Sequence, residues 1–253
     1  MRRGRKTVVE ESGPSFALPD RILLAGFMGT GKSTVGRRLA EIVKRPFVDL
    51  DRVIESGEGL PVAEIIARNG EAAFRAIETR EAARIARLPG TVVATGGGTL
   101  LSEENRDRLL TGDTRVFVLT AAIDEIVRRI AQEHGTRPLI AGGEPSQRVA
   151  LLMAERREHY ASLGEQIDTT GKTVEEVARE VLARIAPEIV AAGVIEGLVS
   201  AESDDAPALE DDHAAVADGF DVLDVTGAAD ARVPFDEPQG VAPLRGRTPD
   251  DLG

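Results

Sequence analysis

Gly26-Phe27-Met28-Gly29-Thr30-Gly31-Lys32-Ser33 is the stretch that decides how this 253-residue chain reads. It matches G-x-x-x-x-G-K-[ST], and its surroundings give the match meaning. Arg21 to Phe27 (RILLAGF) is a short, mostly apolar run ending in glycines, as a buried parallel strand should be. After it, Val35, Leu39, Ile42 and Val43 fall at helical spacing over Lys32–Val43. Glycines between a strand and a helix let successive backbone N–H groups converge on an anion, and the helix adds the positive end of its dipole. The Gly26–Ser33 stretch is therefore the candidate phosphate-binding loop. Lys32 would reach the β- and γ-phosphates of a nucleotide, and the Ser33 hydroxyl would ligate Mg²⁺.

Outward from this loop the chain alternates strand and helix. Phe47–Leu50 reads as a second strand, with Asp49 and Asp51 at its C-terminal end. Val62–Leu88 has apolar residues at spacings of three and four, one or two helices with a break near Gly70. Thr91–Ala94 is a third strand that stops at Gly96-Gly97-Gly98, and Ser102 is placed to cap the helix that follows. Arg115–Thr120 is a fourth strand, Ala122–Gln132 a helix, Gln147–Ser162 another, Glu165–Asp168 a final strand, and Val174–Ile185 an amphipathic helix stopped by Pro187. Five short strands separated by helices predict a parallel sheet covered on both faces. Residues 133–146 carry five glycines or prolines beside charges, the composition of a mobile loop.

The charge is unevenly divided. Net charge is −12, but 16 of the 43 acidic and 3 of the 31 basic residues lie from Glu188 onward. The body is thus near neutral, which leaves room for local basic clusters where phosphates bind. We read residues 1–19 as a flexible arm, 20–190 as the phosphate-loop domain and 191–253 as an acidic, disordered tail with no identified partner, too poor in large apolar residues to offset its chain entropy. The absence of cysteine excludes disulfides, thiolate metal sites and cysteine nucleophiles. Three scattered histidines, His134, His159 and His213, argue against a histidine metal site. No apolar run reaches membrane-spanning length, and the basic start lacks an apolar signal segment, so a cytoplasmic enzyme without a membrane partner is expected. Eight aromatic residues with no basic interleaving disfavour nucleic acid as a partner.

Other residues could hold a phosphoryl acceptor. Asp49 and Asp51, two apart on an extended strand that could lie beside the loop, would point the same way. One could orient magnesium-bound water while the other accepts a hydrogen bond from an attacking hydroxyl; the plainer reading is that Asp51 only caps a helix beginning at Arg52. Arg75 and Glu78 share a helical face at i and i+3, either as a surface ion pair or with Glu78 steadying a guanidinium that grips a carboxylate. Three glycines directly after a strand permit close backbone approach to a ligand. Arg137 lies in the glycine-bearing loop, where a lid arginine could meet charge developing on a transferred phosphoryl group. Arg156 and Arg157 are adjacent on a helix, so only one can face inward.

In order and spacing, GFMGTGKS (26–33), the pair Asp49 and Asp51, FRxxE (74–78), GGG (96–98), RPL (137–139) and RxxxY (156–160) resemble the shikimate kinase family from about Arg21 to Ile185. The resemblance implies a P-loop kinase with a five-stranded parallel sheet of order 2-3-1-4-5, flanking helices and a mobile lid. It implies that Gly29 to Thr34 bind ATP, that Ser33 and, through water, Asp49 hold Mg²⁺, and that Asp51, Arg75, Gly97 and Arg156 bind shikimate. Lys32, Asp51 and Arg137 would be the catalytic residues, with Arg137 facing ATP from the lid. The implied reaction converts ATP and shikimate to ADP and shikimate 3-phosphate, and the expected state is a monomer. Leu50 stands where the family commonly has Thr, and Gly164 where it usually has Ala. The rival readings are a kinase of another hydroxylated acid such as gluconate and a non-catalytic nucleotide-binding regulatory module.

Overall fold

The computed structural model describes residues 18–132 and 145–191. The arm before residue 18, the segment holding Arg137 and the acidic tail past residue 191 lie outside the described residues. Strand β1 (Arg21–Gly26) is central and wholly buried. Helix α1 (Lys32–Val43) follows the phosphate loop, then β2 (Phe47–Asp49), α2 (Leu50–Glu58), α3 (Val62–Asn69), α4 (Glu71–Ile85) and β3 (Thr91–Ala94). A 3₁₀ turn (Thr99–Leu101) leads into α5 (Glu103–Leu109), β4 (Thr114–Thr120) and α6 (Ile123–Gln132). Helix α7 (Pro145–Leu163), β5 (Glu165–Asp168), α8 (Val174–Ile185) and α9 (Pro187–Ala191) complete the domain.

All strand pairings are parallel, and the order is β2-β3-β1-β4-β5. The apolar runs of the central strands serve both faces at once, because alternate side chains point opposite ways. Ile22 and Leu24 of β1 join Val35 and Leu39 of α1 and Val177 and Val181 of α8 in one core. Leu23 and Ala25 join Ile54, Ile65, Phe74 and Ile85 from α2 to α4 in the other. A third cluster, Phe27, Met28, Ile126, Ile130 and Val149, packs the phosphate loop against α6 and α7. Among the described residues no helix is long and apolar enough to cross a membrane.

One local expectation is corrected. Asp51 is not on an extended strand: β2 ends at Asp49, whose side chain caps α2 by accepting the amides of Asp51 (3.1 Å) and Arg52 (3.3 Å). Asp51 therefore stands in the first helical turn, and it is Asp49 that supplies the cap. β3 separates β2 from β1, as the expected order 2-3-1-4-5 requires. α8 stops at Ile185, just ahead of Pro187 as expected, and Pro187 also opens α9, where its missing N–H costs no helical bond. Elsewhere the punctuation holds. Gly70, at φ +83°, divides α3 from α4, and the Ser102 hydroxyl accepts the Asn105 amide at 3.4 Å to start α5.

Candidate active site

The phosphate loop is held from inside and left open at the helix end. The Phe27 carbonyl accepts both Thr30 Oγ1 and Lys32 Nζ, each at 2.8 Å. Lys32, expected to reach phosphates, thus rests on the loop's own backbone. Gly29 (φ +72°) and Gly31 (φ +90°) take left-handed turns that side chains resist. Helix α1 has no side-chain cap and no acidic residue in its first turn. By contrast α8 has a full Thr173–Glu176 capping box. The first amides of α1 and its dipole are left for an external anion. Ser33 and Thr34 sit exposed in that first turn.

The glycine triplet is where the other candidates converge, and each glycine meets a different partner. A Cβ on Gly96 would lie 2.7 Å from Asp51 Oδ1 and 3.1 Å from Glu78 Oε1. On Gly98 it would lie 2.9 Å from both terminal nitrogens of Arg75. On Gly97 it would lie 3.5 Å from the Met28 amide of the phosphate loop and 3.9 Å from Arg156 Nη1. Residues spread over more than a hundred positions thereby meet around one turn at the C-terminal end of β3, the edge at which parallel α/β sheets bind ligands.

Electrostatics sharpen this picture. Burial, reinforced by Asp49, pushes the Asp51 carboxyl up to about 6 from an ordinary 3.8, with Lys32 pulling the other way. Arg75 Nη1 donates to Glu78 Oε2 at 2.7 Å and Nη2 to Glu71 Oε1 at 3.1 Å. Glu78 also accepts the Thr99 hydroxyl at 2.6 Å. Its partners are thus a guanidinium on one side and the glycine turn on the other. Among the described residues no group of three or more His, Asp or Glu side chains is arranged to hold a metal by itself. The exposed Ser33 hydroxyl at the start of α1 is an oxygen donor of the kind that suits Mg²⁺.

Of the two adjacent arginines, Arg156 turns inward. Its Nη1 donates to the Gly97 carbonyl at 3.3 Å and its guanidinium lies 5.7 Å from the Phe27 ring centre, whereas Arg157 is exposed. Sequence reasoning assigned no task to Tyr160 or His159. The Tyr160 hydroxyl donates to the same Gly97 carbonyl, and His159 Nε2 contacts the Leu100 carbonyl, so one face of α7 holds the turn. The spacing of Arg156 and Tyr160 at i and i+4 was the available signal. The two departures are packing residues. Leu50 is buried in the core, and a Cβ on Gly164 would lie 2.3 Å from the Val116 carbonyl oxygen.

A 2-3-1-4-5 parallel sheet with a phosphate loop after its central strand, and an arginine and a half-buried carboxylate gathered beside that loop, defines a P-loop small-molecule kinase. Within that class, the chain belongs to the shikimate kinase family, whose sequence model matches residues 28–186. The shikimate kinase of Geobacter metallireducens is 46% identical over 160 residues, covering 63% of this chain and 88% of its own. That of Gloeobacter violaceus is 42% identical over 170 residues, 66% of this chain and 95% of its own. Among solved structures, Acinetobacter baumannii shikimate kinase in complex with shikimate superposes with a TM-score of 0.62 at 32% identity, covering 66% of this chain and 93% of its own.

Proposed function

We propose that this chain transfers the γ-phosphoryl group of ATP to the 3-hydroxyl of shikimate, giving ADP and shikimate 3-phosphate on the route to chorismate and the aromatic amino acids. Family membership supports the reaction class and the acceptor. The single observation that carries the site is the convergence of Asp51, Arg75 and Arg156 on Gly96, Gly97 and Gly98, against the phosphate loop.

In this reading Arg75 and Arg156 grip the acceptor's carboxylate, and the Gly97 backbone lets the ring approach. Asp51 accepts the hydrogen bond of the attacking hydroxyl. A carboxyl with a raised pKa is suited to that task, since it takes up partial proton character readily near neutral pH. The amides of residues 29–34 and Lys32 hold the phosphates. Mg²⁺ bound to Ser33, with Asp49 acting through water, would neutralise charge between the β- and γ-phosphates. Arg137 keeps the lid role that the family motif gives it. Phosphoryl transfer needs positioning and charge stabilisation more than covalent help, and these residues supply both.

The test is ADP release from ATP and Mg²⁺ with shikimate, with gluconate and with no acceptor. Release that depends on shikimate is expected. Release with gluconate alone would replace the acceptor, and ATP binding without release in any arm would favour a regulatory module.

A further inference from the structure

One buried hydroxyl outside the acceptor site is tied to the phosphate loop. Thr169 follows β5 and is 2% exposed. Its Oγ1 lies 3.2 Å from the Thr30 carbonyl and 3.0 Å from the Thr120 carbonyl. The Thr120 carbonyl already takes the Thr169 amide at 2.8 Å, so the Thr30 carbonyl is the acceptor with more to gain. Arg129 of α6 completes the arrangement. It donates from Nη1 to Thr169 Oγ1 (3.0 Å) and to the Gly29 carbonyl (3.3 Å), and from Nη2 to the Thr169 carbonyl (2.9 Å). Glu125 Oε1 steadies the guanidinium through Nε at 2.8 Å.

We propose that Thr169, braced by Arg129, is a positioning residue that orients the phosphate-loop amides toward the β-phosphate of the nucleotide. The reason lies in the geometry of the peptide unit. In a planar trans peptide, C=O and the next residue's N–H point in opposite directions. Anchoring the Gly29 and Thr30 carbonyls on the β5 side of the loop therefore turns the Thr30 and Gly31 amides to the other side. Amides fixed before the anion arrives need no reorganisation on binding, which is where preorganised donors gain their strength. Thr169 touches neither reactant in this scheme and acts through the loop alone.

The proposal rests on the reading that this loop binds ATP phosphates, and its test uses nucleotide binding rather than turnover. Thr169→Val keeps the side-chain shape and removes the hydroxyl. We expect it to weaken ADP binding about tenfold, the scale of one lost hydrogen bond to a buried carbonyl. AMP, which has no β-phosphate, should bind with less than about a twofold change, and Thr169→Ser should restore ADP binding. Unchanged ADP affinity in Thr169→Val, or equal weakening of ADP and AMP, would overturn the proposal. Should Thr169→Val lose the wild-type circular dichroism spectrum, Thr169→Cys, with a weak donor of similar size, takes its place against Thr169→Ser, with the same contrast expected. ADP release that ignored shikimate would count against the acceptor alone and leave the ADP-over-AMP contrast standing.

Discussion

Arg75 and Glu78 form an ion pair with unequal surroundings: at 2.7 Å, the Arg75 side chain is 35% exposed and that of Glu78 only 1%. The buried partner is fixed by the fold and holds the half-exposed one against the glycine turn. The pair is thus a mounted cation, unlike a surface bridge between two mobile chains. Glu78→Gln should loosen Arg75 and weaken acceptor binding about tenfold or more, the scale of a hydrogen bond to a charged group, with ATP affinity little changed. Isothermal titration with shikimate and with ATP separates the two effects. Equal losses for both ligands would mean that the variant disturbs the whole fold.

Asp51 should trade stability for activity. Its carboxyl is raised to about 6 in the folded protein against an ordinary 3.8, because burial penalises the charged form. The native state therefore holds the proton more tightly than the unfolded chain. That contribution to stability is complete below about pH 4 and is lost as pH rises through 6. Above pH 6, keeping this carboxylate charged costs the fold about 3 kcal/mol at most. Asp51→Asn should melt higher than wild type at pH 7.5, with the difference shrinking toward pH 4, and should lose about 10²–10⁴ in kcat. Wild-type kcat/KM for shikimate should rise with pH through about 6 as the free enzyme's carboxylate ionises. A variant with wild-type turnover would remove Asp51 from the reaction.

The glycine triplet offers a graded series. Alanine at Gly98 would press within 2.9 Å of the Arg75 guanidinium, a flexible group that can yield, so the fold survives while the cation is displaced. At Gly97 nothing lies nearer than 3.5 Å, so alanine should fit the free protein and obstruct only a bound acceptor. Both variants should melt within about 1 kcal/mol of wild type, yet raise the KM for shikimate severalfold without raising that for ATP. Steady-state kinetics with each substrate varied in turn decides this.

Removing residues 196–253 should leave kcat and both KM values unchanged. The family match ends at residue 186, and every residue proposed for the acceptor and nucleotide sites precedes that point. A large loss of activity on truncation would mean that the acidic segment contributes to the domain.

Much of this architecture was legible in the chain because its signals are local. The phosphate loop is eight consecutive residues, and the buried strands are apolar runs that need no partner to be seen. The break at Gly70 and the Ser102 cap are single-residue chemistry. Where local signals conflict, reading failed. Phe47-Val48-Asp49 and Leu50-Asp51-Arg52-Val53-Ile54 blend a strand into a helix without a glycine or proline, so Asp51 of the first turn of α2 was taken as continuing the strand.

By itself the sequence determined the class of fold, the place of the phosphate loop and the ordered set of residues that could serve an acceptor. Only the tertiary structure decided what those residues touch. It chose Arg156 over Arg157, moved Asp51 into a helix and buried Glu78 behind Arg75. It also brought Thr169 to the carbonyl of Thr30, 139 positions away. The physical reason is range. Helix and strand periodicity follow from neighbours along the chain, whereas a hydrogen bond depends on which distant atom packing brings within about 3 Å.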